Sequence, residues 1–374
     1  MALDTTFTVS GDHADYHAII HSHENMVVWA ADYGTNGVAI QDAIDAAAAA
    51  SIGTVFISPG IWNVAATIIC EQQVDVILDR QARLNLTANT DLIQMAPNMT
   101  LHGGRLTATG IVGHTGSVVL LTGAEFNFSQ DLTIIENIEI YGRNNESAGN
   151  GILMQPDSDL NYVSGVRIQN VLMRDFDYAL RMDATNFGFV NSIDISGLTI
   201  EGCNYGISIE GRIGRSIGGN RFVNCLIFPR ATSQRALYLD YAQSNHFINI
   251  AMSDWDDVTA EPVIELTANA HRNFIQFHSE ITAVDVSDGG DDNVIRDLNR
   301  TYLQENSGAR ATRTDGSTIA HGLPSTPTVA TVSGSVAAEM VTVTSLDAAN
   351  ITVAIKDDAG NAGTSQTVYW RATL

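Results

Sequence analysis

IQNVLMRDFDYALRM, residues 168–182, and ISGLTIEGCNYGISI, residues 195–209, are the same line written twice, at an offset of 27. Ile168, Val171, Met173, Phe176, Tyr178, Leu180 and Met182 recur as Ile195, Leu198, Ile200, Cys203, Tyr205, Ile207 and Ile209. Phe222, Cys225 and Ile227 repeat the first three slots at the same offset again, and Phe247, Ile250 and Met252 repeat them once more. Phe274, Phe277 and Ser279 follow, and Ile135, Ile138 and Ile140 hold the same slots upstream of Ile168 and its partners. Such a period marks a solenoid, in which each unit buries its apolar face only against its neighbours. Within each unit the apolar residues alternate in short runs such as VRIQNVLM and IDISGLTI, which is the period of strands. Short strands that turn and return at this near-regular interval describe an all-β chain wound as a parallel β-helix.

A second series accompanies the first. Asn137, Asn170, Gly197, Asn224, Asn249 and Gln276 stand just before the second strand of each coil. A side-chain amide at a repeated tight turn satisfies backbone groups and bonds to its copy one rung away, about 4.8 Å. Glycine suits the same place because such turns favour positive φ.

The charge is unusual in kind as well as in size. Of 374 residues one is lysine, Lys356, against 18 arginines, and aspartate outnumbers glutamate 29 to 13, for a net charge of −23. No basic stripe exists to release phosphate counterions, which argues against a nucleic-acid partner. A chain this anionic repels itself in dilute buffer, and molar salt relieves that by shortening the screening length to about 3 Å. Near-absence of lysine with excess aspartate resembles the proteins of extremely halophilic archaea and their viruses.

Cys70, Cys203 and Cys225 suggest no disulfide framework and read as small core residues, Cys203 in the slot of Phe176 and Cys225 in that of Leu198. The N-terminus lacks a basic segment followed by an apolar run, and no stretch approaches the ~20 apolar residues of a membrane span. The expectation is assembly in a cytoplasm, without membrane insertion, and release by a route such as a virus particle.

Four parts follow along the chain. Residues 1–30 form an N-terminal arm in which His13, His17 and His21 lie at i, i+4 and i+8, one column of a helix. Residues 31–305 hold the β-helix, with an amphipathic helix at about 36–50 whose stripe is Ile40, Ile44 and Ala47, placed to cap the open end. TYLQENSGARATRTDGS, beginning at Thr301, reads as a polar linker. Residues 312–374 alternate as TPTVATVS, EMVTVTS, NITVAIK and TVYWRATL, a small antiparallel β-sandwich.

Asp32-Tyr33-Gly34, then Ala39–Ala47, then Gly53–Gly60 resemble the opening of pectate-lyase-like right-handed parallel β-helix proteins, especially those of viral tailspikes and tail fibres. The family's acidic pair ahead of the helix is absent, since Thr35-Asn36-Gly37 leads straight into it. With the coils, the resemblance covers roughly residues 31–300. His321, Gly322, Leu323, Pro324 and Trp370 are similar to positions in compact C-terminal domains of viral fibres and spikes. These likenesses imply a homotrimer on a virion surface, from a haloarchaeal virus by its composition. The arm would join other virion proteins, and a distal sandwich would meet a host glycan or glycoprotein.

Candidate chemistry is sparse. Ser253-Asp254-Trp255-Asp256-Asp257 with Glu261, and Glu265 nearby, offers Trp255 for stacking on a sugar and Asp254, Asp256, Asp257 and Glu261 as catalytic carboxylates. A lyase would instead use acids among Asp175, Asp177, Asp194, Glu201 and Asp240, with Arg174 or Arg181 as base. In so acidic a chain such residues are expected everywhere, and no calcium loop, cysteine metal motif, phosphate loop or cofactor motif is present. GRIGRSIGGN, residues 211–220, reads as a loop between coils in which Arg212, Arg215 and Arg221 pair with carboxylates. His13, His17 and His21 read as a subunit contact and not as a metal site. The expected function is attachment of the virion to its host surface by glycan binding, with no cofactor. The alternative is a polysaccharide depolymerase on the same scaffold.

Overall fold

The protein is described here by a computed structural model covering residues 27–122, 133–143, 149–229, 235–253, 262–279, 286–299, 305–323 and 326–374. Three stacks of parallel strands make the β-helix. The first runs from Val28–Trp29 and Thr54–Ile57 to Val294–Asp297. The second runs from Gly60–Val64 to the end of Phe274–Ser279, and the third from Ile68–Ile69 to Val286–Asp288. A short fourth stack joins Tyr162–Ser164, Phe189–Asn191, Ile217–Gly218 and Ala242–Gln243.

The alternation of the sequence becomes columns of buried side chains. In the first stack Val55, Val76, Leu101, Ile135, Ile168, Ile195, Phe222, Phe247, Ile275 and Ile295 lie in register and are buried. Phe222 and Phe247 stack with ring centroids 4.4 Å apart. Cys70, Cys203 and Cys225 are buried free thiols, and burial pushes Cys70 and Cys225 up to about 12, so they are packing groups.

One coil departs from the sequence alignment. Phe247 pairs with Ile275, not Phe274, because the register shifts before Ile250 pairs with Phe277. Asn249 is the extra residue, in the left-handed region at φ 56°, while Phe274–Ser279 passes the same corner as one strand. Phe274 therefore packs on His246 outside the core, and Gln276 is no turn residue.

The turn ladder between first and second stacks is otherwise as expected. Asn137, Asn170, Gly197, Asn224 and Asn249 all have positive φ. Asn170 donates to Asn137 at 3.3 Å and Asn249 to Asn224 at 2.7 Å. A second ladder is buried at the corner that leads into the first stack. The Asn245 side chain accepts from the Asn220 Nδ2 at 2.9 Å and donates to the Asn273 Oδ1 at 3.0 Å and the Ile217 carbonyl at 3.1 Å. Asn273 in turn bonds to Asn293. Each of these asparagines lies two residues ahead of a core-column residue.

Helix α1, Gly37–Ala49, closes the N-terminal end. The Asn36 side chain accepts from the Ala39 N–H at 3.1 Å, and Ala39, Ile40, Ala43, Ile44 and Ala47 are buried against the first coil. Gln41 accepts from the Ile69 N–H at 2.8 Å and donates to the Ile69 carbonyl at 3.0 Å. Its amide thus replaces the missing strand on that edge. No helix among the described residues is long and apolar enough to cross a membrane.

At the C-terminus two three-stranded antiparallel sheets share a core of Ile319, Ile351, Val353, Ile355, Val368, Trp370 and their neighbours. The segment read as a linker contains a long strand, Glu305–Arg313, paired with Gln366–Thr373. It is an edge strand with mostly exposed polar residues, so it lacks the alternation that marks a strand in sequence. His321 is wholly buried: its Nδ1 accepts from the Leu323 N–H at 3.1 Å and its Nε2 donates to the Asp347 carbonyl at 3.0 Å. The His-Gly-Leu motif is thus a structural clamp, with Gly322 at φ 65° making the turn between the two residues.

The last member of the column Met182–Ile209–Leu239–Leu266 is Asp288. Burial raises its pKa, against the Asn293 amide and Gly290 N–H, which donate to its Oδ1. A raised folded-state value means stability that is fully present below the ordinary carboxylate range, about 4, and is lost as pH rises through the folded value. Asp288→Asn keeps the acceptor without the charge. The variant is expected to melt above the wild type at neutral pH and to converge with it in acid; a constant difference across the pH series would refute the buried-charge account.

Candidate functional site

In coils five to eight the third stack consists of Tyr178–Asp183, Tyr205–Glu210, Arg235–Asp240 and Ile264–Leu266. Leu180, Met182, Ile207, Ile209, Leu237 and Leu239 enter the core, and three rows of functional side chains remain off it. One row is Tyr178, Tyr205, Arg235; the next is Arg181, Ser208, Tyr238, Glu265; the third is Asp183, Glu210, Asp240. Parallel pairing holds each row at the rung spacing of about 4.8 Å, on rigid strands.

Aromatic rings and guanidinium groups interleave. Tyr178 and Tyr205 stack at 4.5 Å with planes 5° apart, and Tyr238 meets Tyr205 edge-on at 6.5 Å. The Arg181 guanidinium lies 4.7 Å from the Tyr178 ring centre, and that of Arg235 lies 5.9 Å from Tyr205 and 5.2 Å from Tyr238. Burial, with the nearby Glu210 carboxylate, pushes the Tyr178 phenol up to about 12. Burial also raises Tyr205 and Tyr238. All three hydroxyls therefore stay protonated and able to donate near neutral pH.

The carboxylates are held by specific donors. Arg181 gives Glu210 a two-pronged pair at 2.8 and 3.0 Å, and Ser208 adds a bond at 2.8 Å. Asp183 accepts from the Thr185 backbone at 2.9 Å, its hydroxyl at 2.6 Å and Gln155 at 3.1 Å, with Arg181 at 3.3 Å. Arg235 is paired with Glu265. Asp240 accepts from Thr267 at 2.5 Å and Asn269 at 3.1 Å. Half-buried rings, planar cations and fixed acceptors on one face suit a polyhydroxylated ligand, whose hydroxyls need both donors and acceptors.

The residues singled out in the sequence are distributed differently. Asp254, Trp255, Asp256, Asp257 and Glu261 lie outside the described residues, as do His13, His17 and His21. Glu265 belongs to the third-stack face. The lyase set does not converge: Asp194 faces Arg221 on the first stack, Glu201 pairs with Arg174 on the second, and Asp177 bonds to Asn204 at a corner. Of that set Arg181 and Asp240 lie in the rows with the tyrosines, and the Asp177 carboxylate stands near enough to help raise Tyr178 and Tyr205. Among the described residues no three His, Cys, Asp or Glu side chains are placed to share a metal ion. Arg212 pairs with Asp159 and Arg221 with Asp194, while Arg215 shows no carboxylate partner among the described residues.

In the sequence Tyr178 and Tyr205 occupy repeat slots beside core residues, whereas in the structure both are half-buried on this face. The available signal was chemical: a phenol in two successive coils, followed three residues later by Arg181 and Ser208, each two residues before a carboxylate.

No protein-family model matches the chain, and no curated protein does. Among solved structures it is similar to ORF18 of Geobacillus virus E2, at 12% identity and TM-score 0.53, over 94% of this chain and 80% of that one. It is also similar to the A-module of the Azotobacter vinelandii mannuronan C-5 epimerase AlgE6, at 15% identity and TM-score 0.39, over 72% and 94%. A tailspike mutant of E. coli bacteriophage HK620, in complex with a hexasaccharide, matches at 10% identity and TM-score 0.29, over 95% of each chain. At these identities the likeness is one of fold.

Proposed function

We propose that this protein is a virion surface spike that attaches a virus to its host by binding a cell-surface glycan along the third-stack face. The observation that carries the reading is the register-locked set of Tyr178, Tyr205 and Tyr238 interleaved with Arg181, Arg235, Glu210 and Glu265 on a stiff solenoid. Its fold likeness to a Geobacillus virus protein over nearly the whole chain supports the virion assignment. Residues 1–30 would be the virion anchor, with His13, His17 and His21 as the oligomer contact, and residues 312–374 the distal module. The acidic, lysine-poor composition supports a halophilic, archaeal host.

The row Asp183–Glu210–Asp240 favours one second reading, a depolymerase. Rungs about 4.8 Å apart bring carboxyl groups into the separations of ~5 to ~9.5 Å used in glycoside hydrolysis. Binding is preferred because Asp183 and Glu210 already commit their acceptors to Arg181, Thr185, Gln155 and Ser208.

Tyr205→Ala and Arg235→Ala are expected to lower binding of the purified protein to intact host cells by about tenfold or more each, the scale of one lost aromatic or charge-assisted contact. Melting should show both variants folded, and host glycan should release no reducing ends. Undiminished cell binding in both variants would sink the face assignment. Reducing ends that vanish in Asp240→Asn would replace attachment by depolymerisation.

A further inference from the structure

A cleft of about 710 Å³ opens on the opposite corner of the β-helix, outside the turn between first and second stacks in the first four coils. Its origin is local. Coil three turns through Gly103-Gly104, both at positive φ, and a Cβ on Gly103 would stand 2.3 Å from the Leu78 carbonyl oxygen. These two residues therefore add no side chain, and a notch remains between Arg80-Gln81 on one side and Asn137 with Glu139 on the other.

The lining is cationic in a chain of net charge −23. Arg80, Arg83, His102 and Arg105 all border the notch. Arg83 and Arg105 are register partners on adjacent strands, a like-charge pairing that costs stability unless an anion lies between or beside them. Arg105 resolves this toward Glu139, at 2.8 and 2.5 Å, and His102 toward Glu136 at 3.0 Å. Arg83 has no carboxylate partner among the described residues: its Nη2 reaches only the Thr109 hydroxyl at 3.3 Å, and its Nε is buried without a hydrogen bond. Arg80 makes no hydrogen bond or ion pair among the described residues. Two guanidinium groups without a described carboxylate partner thus share one notch, while carboxylates are in large excess across the chain.

We propose that this notch binds an oxyanion carried on a sugar, either a uronate carboxylate or a sulfate ester, with Arg80 and Arg83 holding the anion. Guanidinium forks match both groups. Ile61, 65% exposed beside Arg83 on the neighbouring strand, offers an apolar surface for the C–H face of a sugar ring. Gln81, Asn137 and Glu139 face the notch as partners for hydroxyls. The volume is that of a small-molecule site and far exceeds a bare ion. No Phe, Tyr or Trp side chain among the described residues lines the notch. The site stands independently of the tyrosine face, on the opposite corner.

The test is calorimetric titration of the full chain, at the lowest salt at which it remains folded. The ligands are a hexuronate disaccharide, a sulfated monosaccharide, the neutral parent sugar and inorganic sulfate. Binding by one of the two acidic sugars, and not by the neutral parent, is expected, and the tighter of the two identifies the source of the anion. Arg80→Gln, on an exposed turn where folding is not at stake, and Arg83→Gln should each weaken it by about tenfold or more. Arg310→Gln, on the exposed edge strand Glu305–Arg313, should leave it unchanged. Equal affinity for the neutral sugar, inorganic sulfate binding as tightly as the sugars, or unaltered affinity in both arginine variants would each overturn the proposal.

Discussion

Asn245→Ala is expected to destabilise the protein by about 3 to 5 kcal/mol, because it orphans several buried groups at roughly 1 to 3 kcal/mol each. The Asn220 backbone N–H and side-chain amide lose their acceptor, and the Ile217 carbonyl loses a donor, at a position with no solvent exposure. Asn170→Ala should cost far less. That side chain is exposed and makes a single ladder bond of 3.3 Å, so the main cost is alanine at φ 52°, about 1 to 2 kcal/mol. Denaturant midpoints of both variants at high salt decide the matter. Equal losses would mean that burial does not separate the two ladders.

The second large effect is salt. The melting temperature should rise by more than about 10 °C from dilute buffer to molar salt, as the screening length falls from ~10 to ~3 Å. The structure shows where the repulsion acts. Several arginines are already committed to carboxylates, as in Arg105–Glu139, Arg174–Glu201, Arg235–Glu265 and Arg371–Glu305, and the carboxylates outnumber all the cations. Registered stacking also sets Asp183, Glu210 and Asp240 side by side, where like charges oppose each other across strands. A melting temperature that stays level or falls with added salt would remove both the repulsion argument and the halophilic reading.

The coils from Leu132 to Val286 were legible because aliphatic and aromatic residues recur at nearly constant spacing. The first three were not. The intervals between the core-column residues Val55, Val76, Leu101 and Ile135 are uneven, since connecting segments vary in length while strands do not. The capping helix was legible from Ile40, Ile44 and Ala47, although the edge-sealing amide of Gln41 leaves no mark in a periodicity. The buried Asn220–Asn245–Asn273–Asn293 ladder escaped because asparagine reads first as a turn residue, and burial is a property of the closed coil. The third-stack face escaped for a related reason: Tyr178 and Tyr205 occupy repeat slots, and which side of a corner a large ring takes depends on its neighbours. The acidic run from Asp254 to Asp257 was the most conspicuous chemistry in the sequence, whereas the described structure gathers its aromatic and acidic groups from regular strands of the third stack.

In each of the main stacks the hydrogen bonds between coils point along the solenoid axis, not across it. A pull between the two ends therefore loads them one rung at a time, as in peeling, while compression drives the rungs together. Each coil that let go would release a contour of several nanometres, from ~3.4 Å per residue over the chain between successive rungs. A particle held by such a rod would be tethered by an element that lengthens in steps under tension and yet stays stiff when pressed against a surface.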